Sequence, residues 1–228
     1  MRNSGKLRLI TVLLSMALLP TLTACLGGDA PTDNARSNVN MLRSAVESMK
    51  ALKSYHFSSV VGTPPGQVEM SGDVDVANHR AMLVITSTGQ VENVIVVGET
   101  AYVRESGSEG YTRADYSDLN LDSVLGMWER FKAEDIGRTG DALKDGTPPT
   151  ETIDGASTKH IMGDARELNA LTNAGSETEQ EGTIEFWLSA EGDPRIHQMK
   201  VAGKSGGQDI DGTFNWSRFN EAFDIKAP

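Results

Sequence analysis

The 228-residue sequence predicts an α+β fold in which one large antiparallel sheet folds over a few helices. Most of the chain beyond residue 53 falls into short alternating or β-branched runs, separated by Gly, Pro, Asn and Ser at hairpin distances. Apolar residues at helical spacing are confined to three short stretches, and no segment repeats.

The chain opens on Arg2, Lys6 and Arg8, followed by an apolar stretch from Leu9 to Leu19 and by the small residues Thr23 and Ala24 before Cys25. This is the anatomy of a secretion signal, and its apolar run falls short of the roughly 20 residues a permanent span needs. Cys25 is the only cysteine, so neither a disulfide nor a thiolate metal site can be completed within the chain. The stretch Leu22-Thr23-Ala24-Cys25 resembles the bacterial lipobox, in which the cysteine sulfur receives diacylglycerol and the leader is cut away just before it. The expected organisation is a signal peptide over 1–24, a lipidated N-terminus and flexible tether over 25–37, and a single domain over 38–228. The tether, "LGGDAPTDNARS" in its main part, is small, polar and aperiodic. Two acyl chains hold a protein stably on a membrane, which places the domain on the extracytoplasmic face of the cell membrane.

Within the domain, Val39, Leu42, Val46, Met49 and Leu52 predict an amphipathic helix, with Asn38 or Asn40 placed to cap its start. The runs "SYHFSSVVG", "GQVEMSGDVDVA", "HRAMLVITS", "VENVIVVGET" and "AYVRESG" predict a meander. In the second run Val68, Met70, Val74 and Val76 alternate with Glu69, Ser71, Asp73 and Asp75, giving one dry face and one wet face. Residues 119–133 return to helical spacing with Asp122 as N-cap, and "TGDALKDGTPPT" reads as a loop or a poorly ordered insertion. The strand "STKHIMGD" and a short helix over 165–175 follow, then the hairpin "GTIEFWLSAEGDPRIHQMKVAG" and the closing strand "QDIDGTFNWSRF". Ile184, Phe186 and Leu188 share one face opposite Glu185 and Trp187, and Ile210, Phe214 and Trp216 share a face of the last strand.

Composition excludes some functions. The chain has 21 basic and 32 acidic residues, and the leader takes three of the basic ones, so the remainder carries a net charge of −14. Such a chain lacks the positive footprint that nucleic-acid binding requires. The sequence "GKSGG" at 203–207 fits the G-x-S-x-G pattern of a hydrolase nucleophile elbow around Ser205, but that elbow needs a helix after the serine and a strand follows here. A glycine-rich hairpin turn accounts for the same residues. The histidines His56, His79, His160 and His197 show no zinc spacing, and "DIDG" lacks the other ligands of a calcium loop. No cofactor, metal or catalytic residue is predicted.

From "ALKSYHF" (51–57) onward the sequence resembles the mycobacterial LppX/LprA/LprF/LprG lipoprotein family. The similarity continues in order through "VIVVGETAYVRES", "YTRADYSDLNLDSVLG", "ETIDGASTKHIMGDA", "TIEFWLSAEGDPRIHQMKV" and "FNWSRFNEAFDIKAP", and covers about Leu42 to Pro228. The stretch "RTGDALKDGTPPT" is longer than the family's usual turn. The resemblance implies a fold like that of the LolA and LolB lipoprotein carriers, a strongly curved antiparallel half-barrel with helices on its concave side around an apolar cavity. It further implies binding of acylated lipids or lipoglycans and their transfer across the envelope, in one branch beside a major facilitator exporter. Candidate cavity residues are Leu42, Val46, Met49, Tyr55, Phe57, Val68, Met70, Ala81, Leu83, Ile85, Ile184 and Phe186; the same stripes also read as close-packed core. A lipid-anchored envelope sensor or regulatory domain is the alternative function.

Overall fold

A computed structural model describes residues 33–63, 66–119, 121, 128–130, 143–144, 146–164, 180–205 and 208–228. Cys25, the expected helix over 165–175 and most of the expected helix over 119–133 lie outside the described residues.

Helix α1 (Asp33–Lys50) leads into strands β1 (Ser54–Thr63), β2 (Gly66–Asp75), β3 (Arg80–Ser87), β4 (Gln90–Val97), β5 (Thr100–Glu105) and β6 (Thr112–Asp115). After short 3-10 turns at Tyr116–Leu119 and Trp128–Arg130 come β7 (Thr150–Ile153), β8 (Ala156–Asp164), β9 (Gln180–Ser189), β10 (Ile196–Ser205) and β11 (Gln208–Ser217). All eleven form one antiparallel sheet in the order β6-β5-β4-β3-β2-β1-β11-β10-β9-β8-β7. The chain meanders outward from β1 to β6 and back inward from β7 to β11, and the first and last strands pair at the centre, Phe57 opposite Trp216.

Strands β6 and β7 are consecutive in sequence yet stand at opposite edges, so the chain between them must cross the whole sheet. Its described residues Leu119, Leu121, Trp128 and Leu143 are buried in the same core as α1 and the inward side chains of the strands. The Trp128 ring lies 4.9 Å from that of Trp216 on central β11. These described residues therefore share the inner face with α1. Eleven strands about 4.8 Å apart would span roughly 48 Å if flat, whereas a helix with its side chains is only about 10 Å across. Val94 and Val103 from one wing and Ile161 and Ile184 from the other nevertheless join a single core with α1, which requires the sheet to curl around it. Gly72 permits close approach in one wing: a Cβ there would stand 1.9 Å from the Met82 carbonyl oxygen.

Three sequence expectations are corrected. The helix begins at Asp33, inside the stretch read as tether. Its first turn carries no large apolar residue, so periodicity could not show it. Asn38 and Asn40 lie within the helix and cap nothing at its start; Asn38 is buried and its Nδ2 donates to the Lys144 and Gly146 carbonyl oxygens, each at 3.3 Å. Second, the stretch around Leu143 extends the sheet edge, with Leu143 bridged to Gly163 of β8 and the Lys144 amide donating to the Met162 carbonyl oxygen at 2.9 Å. Third, β6 and β7 went unread because each has four residues and mostly exposed side chains, which leaves no alternation to detect.

Candidate functional site

Register turns the inner face into rows that run across the strands. One row joins Tyr55, Val74, Ala81, Val96 and Ala101, and the next joins Trp216, Phe57, Gly72, Leu83, Val94 and Val103. Apart from Gly72, which has no side chain, the residues of both rows are buried. One step further along the strands, the row Phe214, Ser59, Met70, Ile85 and Glu92 is different. Phe214, Met70 and Ile85 are half-buried, and pack against the core without being enclosed by it.

The twelve candidate residues divide along this gradient. Leu42, Val46, Met49, Tyr55, Phe57, Ala81, Leu83, Ile184 and Phe186 belong to the buried core. Met70 and Ile85 border it, and Val68 is half-buried one row beyond. The apolar border ends at carboxylates: Glu92 stands opposite Glu105, and burial together with the Glu105 charge pushes its pKa up. Two further polar groups sit deeper. Burial pushes the Tyr55 phenol up, so it stays neutral at any ordinary pH. The Trp216 indole Nε1 is buried and meets no hydrogen-bond acceptor among the described residues.

The outer face has its own chemistry. Trp187 points away from the core yet is only 4% exposed, because residues from neighbouring strands cover it. His160 stacks on it at 4.2 Å and 9°, Lys200 Nζ lies 4.9 Å above its ring, and its Nε1 donates to Glu151 Oε2 at 2.7 Å. The ring nitrogens of His160 reach Glu151 at 3.1 Å and Glu185 at 2.6 Å. His56 contacts Asp73 at 2.7 Å, and His79 occupies a left-handed turn position with φ of 52°. A surface cleft of about 350 Å³ at the β9–β10 hairpin end includes Ser189, Arg195, His197 and Phe219. His197 is the extra residue of a β-bulge there, and its Nε2 lies 3.1 Å from Ser189 Oγ. The spacing of Ser189 and His197 in sequence gave no sign of this pair, which only the hairpin brings together. Ser205 pairs with Gln208 across the β10–β11 hairpin, so a strand follows it and no nucleophile elbow forms. Among the described residues no three His, Cys, Asp or Glu side chains are grouped to hold a metal ion. No helix among them is long and apolar enough to cross a membrane.

Comparison with solved structures matches the crystal structure of lipoprotein LppX from Mycobacterium tuberculosis with a TM-score of 0.60 and 17% identity, over 86% of this chain and 100% of that one. The chain has the LppX fold. LprF from Mycobacterium bovis superimposes likewise, with a TM-score of 0.57 and 15% identity over 88% of this chain and 99% of the other. No family model matches the sequence, and no curated protein matches it either. At these identities the fold is what this chain shares with LppX and LprF, and it is the open, antiparallel half-barrel that the ordered segments of the sequence implied. In the LppX fold as this chain builds it, α1 and the described residues Leu119, Leu121, Trp128 and Leu143 share the inner face with the strands, and the row of Phe214, Met70 and Ile85 borders that core half-buried.

Proposed function

We propose that this protein is a membrane-anchored lipoprotein that binds acylated lipids or lipoglycans on the concave side of its half-barrel and carries them across the cell envelope. The supporting observation is the half-buried apolar row on that face of an LppX-like fold. Cys25 is the anchor, and the leader before it is removed. Binding is energetically sufficient, since an acyl chain of about fifteen methylenes gains roughly 12 kcal/mol on leaving water at about 0.8 kcal/mol each. An empty apolar void would cost about 24 cal/mol per Å³, so the interior is best closed when no lipid is present and opened by one. The lipid must pass to an equally apolar acceptor, and a major facilitator exporter is the partner in which this step would end. No catalytic role is assigned.

The anchor is tested by Cys25→Ser. Metabolic labelling with a palmitate analogue marks the wild type and leaves the serine variant unlabelled, and the variant is recovered away from the membrane with its fold intact. Equal labelling of both would overturn the lipoprotein assignment. Lipid extraction of the purified protein tests the ligand: bound acyl lipid supports a carrier, whereas lipid-free protein with a closed core favours the sensor or regulatory reading.

A further inference from the structure

We infer that Trp216 is the donor that recognises the bound lipid, its indole N–H donating to the carbonyl oxygen of an ester or amide linkage. This rests on the lipid-binding reading above and adds to it a residue and a chemical requirement on the ligand.

Trp216 stands on the central strand β11, facing inward, and is 1% exposed. Its ring is held on several sides, by Phe57 at 5.8 Å, Trp128 at 4.9 Å and Phe214 at 6.4 Å. These neighbours are apolar faces, and among the described residues Nε1 finds no acceptor. A buried N–H left unpaired is destabilising, and proteins seldom leave one without a use. A phenylalanine would fill much of the same space without that cost.

The position fits a ligand contact. Phe214, two residues back along the strand and nearly parallel to Trp216 at 16°, belongs to the half-buried row. Two residues along a strand span about 6.8 Å. A hydrocarbon chain lying on Phe214, Met70 and Ile85 would therefore bring a group within two or three bonds of its end to the Trp216 indole. Ligand sites of this kind are mostly apolar, with a few polar atoms that fix orientation. Tyr55, the other polar side chain this deep on β1, is shut in at the fully packed end. A plain hydrocarbon offers Nε1 nothing, and an ether oxygen is a poor acceptor, so the pairing selects carbonyl-linked acyl chains.

The experiment uses the full chain, extracted from its host membrane and delipidated in detergent, titrated with dipalmitoylglycerol and with its diether twin, di-O-hexadecylglycerol. The wild type should bind the diester about 2- to 10-fold more tightly, the range a net hydrogen bond of 0.5–1.5 kcal/mol gives. Trp216→Phe should bind both equally. Because a smaller ring can loosen the core, a second protein carries benzothienylalanine at 216, which keeps the bicycle and replaces N–H by sulfur; it too should lose the preference. A wild type that binds both lipids equally overturns this inference and leaves lipid binding standing. A preference that persists in both altered proteins overturns it as well. A wild type that binds neither lipid removes this inference together with the carrier reading.

Discussion

His197 is held by the bulge at the start of β10, where burial, and then the Arg195 charge, lowers its pKa. The unfolded chain therefore takes up a proton here more readily than the folded one. Stability contributed at this site is complete above the ordinary histidine range and declines as pH falls through that range toward the lowered folded value. His197→Gln should flatten the acid side of a stability-against-pH curve by at most one proton, about 1.4 kcal/mol per pH unit, as denaturant titrations at several pH values would show. Glu151 behaves in the same direction for another reason. The Trp187 indole N–H, ahead of His160, holds its carboxyl below the usual glutamate value. Glu151→Ala should lower Tm at neutral pH, and its difference from the wild type should vanish once acid protonates the carboxylate. Single residues were unevenly legible in the sequence. Strand parity found Phe57 and Ile184, whose neighbours on both sides are polar, and extended to Phe186 and Leu83 by counting in twos, although Trp187, Met82 and Val84 beside them are apolar. It could not find the burial of Trp187, whose cover comes from β7, β8 and β10, nor the missing acceptor at Trp216, which depends on what all its neighbours lack.

At the scale of elements, α1 is held by burial of one stripe. Leu42, Ala45, Val46 and Met49 are enclosed, while Lys50 in the last turn favours the negative end of the helix. Leu42→Ala should destabilise the fold by about 2–5 kcal/mol in urea titrations, the range for a buried leucine. A much smaller loss would mean that the helix rests loosely on the sheet. The strands depend instead on close backbone approach. Gly72→Ala would set a methyl group against the Met82 carbonyl oxygen and should cost about 1–3 kcal/mol through overpacking. The same substitution at Gly89, where nothing lies within 4 Å but φ is +79°, should act through turn strain alone. Elements with a two-residue or 3.6-residue rhythm, α1 from Val39 and nine of the strands, could be read from sequence. The first helical turn, β6 and β7 could not, because each is short and polar and exists through what it pairs with.

The whole molecule is organised by one topological fact. Consecutive strands β6 and β7 sit at opposite edges, and the described residues between them, Leu119, Leu121, Trp128 and Leu143, are buried in the core with α1. No local pattern in the sequence reveals that arrangement. It was the ordered similarity of many segments that implied the half-barrel, and the match to LppX over 86% of the chain bears that fold out. The function proposed for it asks whether the inner face admits a lipid, and Ile85 is placed to decide. It is half-buried in the row with Met70 and Phe214, whereas Ala81, four residues back on β3, is fully buried in the row of Tyr55 and Val96. Ile85→Trp should displace lipid with little loss of stability, whereas Ala81→Trp overpacks the closed core and lowers Tm. The most direct test is native mass spectrometry of the Cys25→Ser protein recovered from the host that encodes it. The expected mass exceeds that of the polypeptide by one acyl lipid, which is released on collisional activation and is absent from the Ile85→Trp form. A bare polypeptide mass in every preparation, with Ile85→Trp melting early, would contradict lipid binding on the concave side.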